Sequence, residues 1–335
     1  MIIDASVSNT SISNRTERAF RLCVAPMMDW TDRHCRYFLR QISPTAFLYT
    51  EMITTGALLH GARDRHLAFS PAEHPVAVQL GGSEPDELAA CARFAAQYGY
   101  DEVNLNVGCP SERVQRGAFG ACLMAEPKLV ADCVRAMREA SALPVTVKHR
   151  LGIDRAPDFG FVRDFVGALA EAGCRTLIVH ARIAVLKGLS PKENREVPPL
   201  DYDFVYRLKA EFPQLEIVIN GGISSWPEIE RHLARVDGVM LGRAAYHNPW
   251  ILASAGMQRA EVVGAMYAYA SAQVAAGTAL RHITRHMLGL YHGHPRARLW
   301  RRMLSDPVRL AANDPRLLLD ALDIVDGGRA LARAA

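Results

Sequence analysis

The sequence lacks the patterns that define several common classes of protein. Its seven cysteines form no CxxC pair and leave an odd number, which argues against a disulfide framework and against a zinc or iron-sulfur knuckle. No GxGxxG turn follows the first predicted strand, so the signature of a dinucleotide-binding doubly wound sheet is absent. We therefore expect a protein of a reducing compartment with no metal site.

Long apolar runs are also missing. Residues 1–17 are rich in Ser, Asn and Thr and have no apolar core of a signal peptide, so we predict a flexible tail and a cytoplasmic protein. The uncharged stretch 262–280 contains Tyr, Ser, Gln and Thr, which make it too polar for a membrane span. We expect no membrane association, and nothing in the sequence indicates an obligate protein partner.

The positive charge is concentrated near the C-terminus. Of a net charge of +4, the segment from Arg259 onward carries 11 arginines and no lysine against six carboxylates, while the rest is about neutral. Between Arg281 and Arg302 there are six arginines and four histidines and no carboxylate. This composition is typical of surfaces that bind phosphate backbones, with a solvated helix face as the alternative.

Eight short β-branched runs alternate with segments of helical periodicity. Eight strands and helices over about 230 residues is the size of a (β/α)8 TIM barrel, and the missing glycine turn argues against the rival open sheet. We predict an α/β barrel domain over 18–254 and an all-helical domain over 255–335. The strand runs are RLCVAP, FLYTE, VAVQL, EVNLN, VTVKH, TLIVH, EIVIN and GVMLG.

Polar or conformationally special residues stand at the end of almost every predicted strand. Barrel enzymes carry their reactive groups at the carboxyl ends of the strands, so these residues are candidates for a site. They are Pro26, Glu51, Gln79, Asn106, Lys148, His180, Asn220 and Gly242.

The motif NVGCPS places Cys109 on a turn just after the fourth strand, between a glycine and a proline. A thiol in water has a pKa near about 8.5, so a cysteine at neutral pH is mostly protonated and can serve as a general acid. The alternative is a buried structural thiol, as expected for Cys91 and Cys133 on helix faces. The loop setting favours the acid.

Lys148 ends the fifth strand inside the predicted barrel, where an unpaired ammonium group is costly, so it implies an anionic ligand. A reduced flavin is such an anion. A Schiff-base lysine of a class I aldolase is the alternative. Gln79 and His180 are able to hold flavin ring atoms, or else serve as wall residues. His282 and His286 have no third ligand for a metal, so we expect RNA contact or solvation.

Two glycine turns follow the last two strands, where barrels commonly bind phosphate with backbone amides. INGGIS contains Gly221 and Gly222, and LGRAAY contains Gly242 followed by Arg243, a bidentate donor. Each turn is a weak signal alone, and the pair at adjacent strands predicts a phosphate site.

Taken together, the strings VAPMMDWTDRHCRYFLR, LYTEMITTGA, VAVQLGGS, YDEVNLNVGCPS, GACLM, SPKENRE and NGGI resemble the tRNA-dihydrouridine synthases over nearly the whole chain. LSPKENREVPPLDY and HPRARLWRRMLS are similar to its A subgroup, associated with uridines 20 and 20a of the D loop. The resemblance implies non-covalent FMN, NADPH as reductant, tRNA as substrate and Cys109 as the acid. It places flavin contacts at Pro26, Met27, Met28, Gln79, Lys148, His180, Asn220, Gly221, Gly222, Gly242 and Arg243, and tRNA contacts at Asn106, Lys192, Arg195, Arg298 and Arg301.

The expected reaction saturates the C5=C6 bond of uracil, with hydride from flavin N5 to C6 and a proton from Cys109 to C5. His149 and Ile183 depart from the family pattern and bear on the positioning of tRNA rather than on this chemistry. Two alternatives stay open. One is an FMN barrel that oxidises or reduces a small molecule such as dihydroorotate, and the other is a non-catalytic RNA-binding barrel.

Overall fold

The computed structural model describes residues 21–154 and 158–326, and the predicted tail of residues 1–17 lies outside these ranges. The eight predicted strands are all present, each at its predicted place in the chain. They are β1 Arg21–Val24, β2 Leu48–Thr54, β3 Val76–Gly81, β4 Glu102–Val107, β5 Val145–His149, β6 Thr176–His180, β7 Glu216–Asn220 and β8 Gly238–Leu241.

All eight strands are parallel and follow one another around a barrel. The sheet order runs β1-β8-β7-β6-β5-β4-β3-β2, with β1 paired directly to β8. The remaining seam closes between β1 and the start of β2, where Val24 N–H donates to the Phe47 carbonyl at 2.9 Å and Phe47 N–H donates to that of Leu22 at 2.8 Å. The predicted (β/α)8 TIM barrel is confirmed.

Helices cover the outside of the barrel between successive strands. The predicted helix that ends on Gly99 does so with that glycine at φ +83°, a left-handed cap that favours glycine. The helices of the barrel are α1 Arg33–Ile42, α2 Thr55–His60, α3 Arg63–Leu67, α4 Pro85–Tyr98, α5 Glu112–Arg116, α6 Pro127–Ala140, α7 Phe159–Glu171, α8 Tyr202–Glu211, α9 Trp226–Leu233 and α10 Arg243–His247.

Up to residue 326, where the described part of the chain ends, five further helices follow the barrel, in agreement with the predicted helical C-terminal region. Their bounds are α11 Arg259–Ala275, α12 Arg281–Met287, α13 Ala297–Leu304, α14 Pro307–Ala311 and α15 Leu317–Asp326. They are joined to the barrel chiefly through α1, where Tyr37 stacks on Tyr269 with ring centroids 3.9 Å apart. No helix within the described ranges is long and apolar enough to cross a membrane.

Strand alternation produces two separate cores. Residues such as Val103 and Leu105 face outward and pack against the helices in the main core. The inward-facing positions include a smaller apolar cluster, which contains Cys23, Ala25, Tyr49, Ala77, Ile178, Val218 and Met240. Polar residues stand at the carboxyl ends of β3 to β7, and that end of the barrel opens into a cavity lined by Gln79, Asn106, Lys148, His180 and Asn220.

Candidate active site

The carboxyl ends of the strands surround one cavity of about 1440 Å³. All eleven residues predicted to bind the cofactor line it, together with Cys109, Asn106 and Arg195. Met28 lies at the exposed mouth, while Gln79 and Asn220 lie in the buried wall. The fold therefore brings together side chains from eight strands that are up to 217 residues apart in sequence, between Pro26 and Arg243.

The turn that carries Cys109 is fixed by hydrogen bonds from three directions. Asn106 Oδ1 accepts from the N–H groups of Gly108 and Cys109 at 3.1 and 2.9 Å. Arg150 Nε donates to the Gly108 carbonyl at 3.0 Å, and Ala121 N–H donates to the Cys109 carbonyl at 2.9 Å. Cys109 is half-buried at the cavity wall, and the hydrogen bonds of its backbone and its neighbours hold the turn in place.

Lys148 and His180 give the cavity wall an unusual electrostatic character. Burial, followed by the positive charge of Arg150, lowers the pKa of Lys148 to about 7. The ion pairs formed by the described residues do not include Lys148. Burial and the same cations hold the pKa of His180 well below its usual range, and its buried Nδ1 has no partner among the described residues. An anionic ligand with polar ring atoms would satisfy both groups.

The glycine turns after β7 and β8 differ in whether their backbone conformation requires glycine. Gly221 and Gly222 have φ of +117° and +72°, and a Cβ added at either would meet Leu200 at 3.0 and 2.5 Å. Gly242 has an ordinary φ of −102° and precedes α10. Its neighbour Arg243 forms an ion pair with Glu196 at the rim of the cavity. Only the first turn demands glycine for its backbone conformation.

Sequence reasoning missed two residues that support the site. Arg150 is buried and donates to three carbonyls, those of Gly108, Ile183 and Asn194, so it ties the loops after β4, β5 and β6 together. Asn194 is fully buried, and its side-chain amide bonds both N–H and C=O of Val185. The VKHR string contains Arg150, but its carbonyl partners lie on distant loops, so sequence gives no sign of the role.

The remaining predicted residues lie away from the cavity. Lys192 is exposed on the loop after β6, and Arg298 and Arg301 are exposed on α13. Of the two departures from the family pattern, His149 is buried on the outer side of β5 against Phe165, with Nδ1 2.7 Å from the Arg150 carbonyl. Ile183 packs at the edge of the main core, so neither side chain lines the cavity.

The expectation for the paired histidines was wrong for His286. Its side chain is buried, and Nε2 lies 3.0 Å from Asp32 Oδ2, which also accepts a hydrogen bond from Arg285 at 2.7 Å. Asp32 caps α1, so this contact joins the barrel to the C-terminal helices. Spacing of four residues along a helix could not reveal a carboxylate 254 residues away in sequence. His282, in contrast, is exposed at the cavity rim.

Fold and cavity define a (β/α)8 barrel whose large cavity lies at the carboxyl ends of its strands, where barrel enzymes have their active sites. The model of the family described as dihydrouridine synthase (Dus) matches residues 23–325. The chain belongs to this dihydrouridine synthase family.

Relatives with a described function are similar over almost the full length. A tRNA-dihydrouridine(20/20a) synthase of Pseudomonas putida is 54% identical over 330 residues, which cover 96% of this chain and 98% of the relative. The protein of the same description from Escherichia coli K12 is 56% identical over 316 residues, 91% of each chain.

Among solved structures, the old yellow enzyme homologue from Zymomonas mobilis is similar with a TM-score of 0.51 and 12% identity, over 68% of this chain and 86% of that one. Morphinone reductase is similar with a TM-score of 0.50 and 13% identity, over 69% and 84%. At these identities the likeness supports the barrel fold alone.

Proposed function

We propose that the protein reduces the C5=C6 bond of uridines 20 and 20a in the D loop of tRNA to 5,6-dihydrouridine, with bound FMN and with NADPH as reductant. Family membership supports the reaction, and the names of the relatives from Pseudomonas putida and Escherichia coli support the two positions. FMN and NADPH follow from the sequence resemblance. The seven free cysteines fit a cytoplasmic setting.

One observation carries the proposal: the Cys109 thiol shares a single cavity with all eleven predicted cofactor residues. Pockets for a single small ligand usually measure about 300 to 1,000 Å³. At about 1440 Å³ this cavity exceeds that range, as expected for a site that holds a flavin and a nucleobase together.

The residues present fit a flavin mononucleotide. The Lys148 ammonium and the unpartnered Nδ1 of His180 match an anionic ring system with polar edges. A phosphate would accept hydrogen bonds from Arg243 and from the N–H groups of the turns at Gly221 and Gly242. When bound, the flavin supplies the hydride for C6 of uracil. We assign its contacts to Pro26, Met27, Met28, Gln79, Lys148, His180, Asn220, Gly221, Gly222, Gly242 and Arg243.

We assign the proton donor for C5 to Cys109. A general acid must stay within hydrogen-bond reach of its target atom, so its position has to be fixed. The bonds from Asn106, Arg150 and Ala121 to the turn supply that position. Ser111 Oγ lies 3.5 Å from the thiol and is the closest side-chain partner recorded for it.

Uracil in a stacked loop cannot enter the barrel, so the target base has to be turned out of the stack at a cost of a few kcal/mol. Contacts with the tRNA backbone offset that cost. We assign these contacts to Lys192 and Arg195 on the loop after β6 and to Arg298 and Arg301 on α13, with Asn106 in the cavity near the base. Residues 255–335 are then the main tRNA-binding region.

The test uses purified protein, NADPH and a tRNA transcript that lacks modified bases. We expect a yellow protein and a gain of two daltons at uridines 20 and 20a, mapped by mass spectrometry of nuclease fragments. A colourless protein that binds the transcript without changing its mass would favour the non-catalytic alternative. A yellow protein that leaves tRNA unchanged and turns over dihydroorotate would favour the small-molecule alternative.

A further inference from the structure

A row of buried polar side chains runs through the barrel from the amino-terminal end of the strands to the turn at Cys109. On β4 the inward positions are polar, while the valine and leucine residues between them pack outward against the helices. Neighbouring inward positions of β3 and β5 complete the row, and every member is at most 9% exposed. We call this set the interior polar chain: Glu102, Thr146, Asn104, Gln79 and Asn106.

Each member of the interior polar chain is hydrogen-bonded to the next. Four side-chain bonds join them in order: Thr146 Oγ1 to Glu102 Oε1 at 2.7 Å, Asn104 Nδ2 to Thr146 Oγ1 at 2.8 Å, Gln79 Nε2 to Asn104 Oδ1 at 2.7 Å, and Asn106 Nδ2 to Gln79 Oε1 at 2.8 Å. The chain ends where Asn106 Oδ1 accepts from the N–H groups of Gly108 and Cys109.

The two ends of the chain allow only one orientation for every amide within it. A backbone N–H can only donate, so Asn106 must turn its oxygen to the turn and its nitrogen to Gln79. Gln79 must therefore turn its oxygen to Asn106 and its nitrogen to Asn104. Asn104 in turn accepts from Gln79 with its oxygen. At the other end a carboxylate can only accept, so the Thr146 hydroxyl gives its hydrogen to Glu102 and accepts from Asn104.

Glu102 is itself anchored. Arg21 forms an ion pair with it, and Tyr49 Oη donates to its Oε1 at 2.8 Å. If the Asn106 amide were reversed, its NH2 group would point at the N–H groups of Gly108 and Cys109. None of these donors would then have an acceptor. The anchored carboxylate therefore favours the one arrangement that holds the turn.

We infer that Glu102, Asn104 and Thr146, none of which lines the cavity, are positioning residues that fix the Cys109 turn through Gln79 and Asn106. The inference rests on the proposed function only for what the positioned thiol does. The position of the turn itself is a property of this chain and is measured without substrate.

The barrel offers a matched control for the decisive variant. Thr176 on β6 also donates its hydroxyl to a glutamate that pairs with Arg21, since its Oγ1 lies 2.6 Å from Glu216 Oε2. Among the described residues, the Thr176 side chain is hydrogen-bonded to no member of the interior polar chain, and its only link to Glu102 runs through Glu216 and Arg21. Thr146→Val and Thr176→Val thus make the same chemical change, and only the first interrupts the interior polar chain.

The experiment is amide-resolved hydrogen exchange on the full-length protein, combined with steady-state kinetics on tRNA. Thr146→Val removes the two buried hydrogen bonds of the Thr146 hydroxyl, so we expect the Gly108 and Cys109 N–H groups to exchange about fivefold faster or more. Thr176→Val leaves both exchange rates unchanged, and Thr146→Ser, which keeps the hydroxyl, restores them. The kcat for uridine reduction falls in Thr146→Val while KM for tRNA stays constant.

Equal exchange rates at the turn in Thr146→Val and the wild-type protein would overturn the inference, as would an equal acceleration in Thr176→Val. Asn104→Leu removes the next member of the chain and gives a second variant with the same expected acceleration if Thr146→Val folds poorly. If the wild-type protein reduced no uridine, the proposed function would fail, while the exchange comparison would still decide the inference.

Discussion

At the middle level of the barrel interior, between its two ends, the two sides differ in polarity. Strands β3, β4 and β5 line one side with the interior polar chain. Strands β6, β7, β8 and β1 line the other side with Ile178, Val218, Met240 and Cys23, which pack in an apolar cluster. The apolar side resembles the usual branched filling of a barrel.

This difference in polarity indicates a structural role for the polar side. Apolar packing fills space at low cost, whereas buried amides are tolerated only when each has its partners. On the polar side the partners end at the backbone of the Cys109 turn. On the apolar side the turn at Gly221 and Gly222 depends instead on left-handed backbone conformations.

We expect the largest effect on the reaction rate from removing the thiol of Cys109, whose turn is held in place by the polar side. In Cys109→Ala, we expect dihydrouridine formation to fall about 100-fold or more, because a positioned general acid contributes about 10² to 10⁴ in rate. Bound flavin and tRNA affinity should be unchanged. Single-turnover assays measure the rate, with Cys122→Ala as the matched control at a half-buried cysteine outside the cavity. A normal rate in Cys109→Ala would refute the assignment.

The apolar side is tested by Ile178→Ala. Ile178 is fully buried in the interior cluster, so its truncation should lower the free energy of unfolding by about 2 to 5 kcal/mol. The rate per folded molecule should stay the same, because no interior polar chain passes through this side. Urea denaturation gives the stability, and Ile324→Ala, at a site 43% exposed, is the control with little expected change. A large fall in kcat without loss of stability would contradict the division.

Lys148 lies on β5, where the two sides of the barrel interior meet. We predict that this lysine makes the free energy of unfolding depend on pH. In the unfolded chain this lysine has its ordinary pKa of 10.5, and in the barrel burial lowers its pKa to about 7. The unfolded state therefore binds more protons between these values, so the lysine becomes less destabilising as pH rises through that window. In cofactor-free protein, the unfolding free energy of the wild type relative to Lys148→Met should increase from pH 7 to pH 10.

Urea denaturation of both proteins across that range provides the measurement. A difference between wild type and Lys148→Met that stayed constant with pH would show that Lys148 titrates normally in the folded state.

The smallest effect concerns residues outside the barrel. Arg298→Ala and Arg301→Ala should each weaken tRNA binding and reduce the slope of log K against log salt by about 1, because each loses one phosphate contact. Filter binding at several salt concentrations measures the slope. Arg309→Ala removes an arginine of the same region that is paired with Asp306, and is the control. An unchanged slope in Arg298→Ala and Arg301→Ala would count against α13 as the docking surface.

The sequence predicted the parts of the site that follow from strand periodicity. The eight strands, their ends and the place of Cys109 in the cavity wall could be predicted, because inward positions recur every second residue and barrel cavities lie at the carboxyl ends of the strands. Glu102 and Asn104 lie at the same periodicity, but nothing in the sequence separates a hydrogen-bonded interior amide from one that faces a ligand.

Contacts between distant segments could not be predicted. Arg150 bonds carbonyls on three loops, and His286 meets Asp32 across the junction of the barrel and the C-terminal helices. Both depend on how loops and helices pack, which local patterns do not encode. The same limit applies to the surface residues Arg298 and Arg301, whose exposure is consistent with RNA contact and with simple solvation.

The central claim is that this chain forms dihydrouridine at two positions of the tRNA D loop. A mass-spectrometric map of tRNA from cells that lack its gene tests it most directly. We predict that uridines 20 and 20a lose the two-dalton increment of reduction, and that a plasmid copy of the wild-type gene restores it while a Cys109→Ala copy does not. Unchanged increments at both positions in the deletion strain would contradict the account.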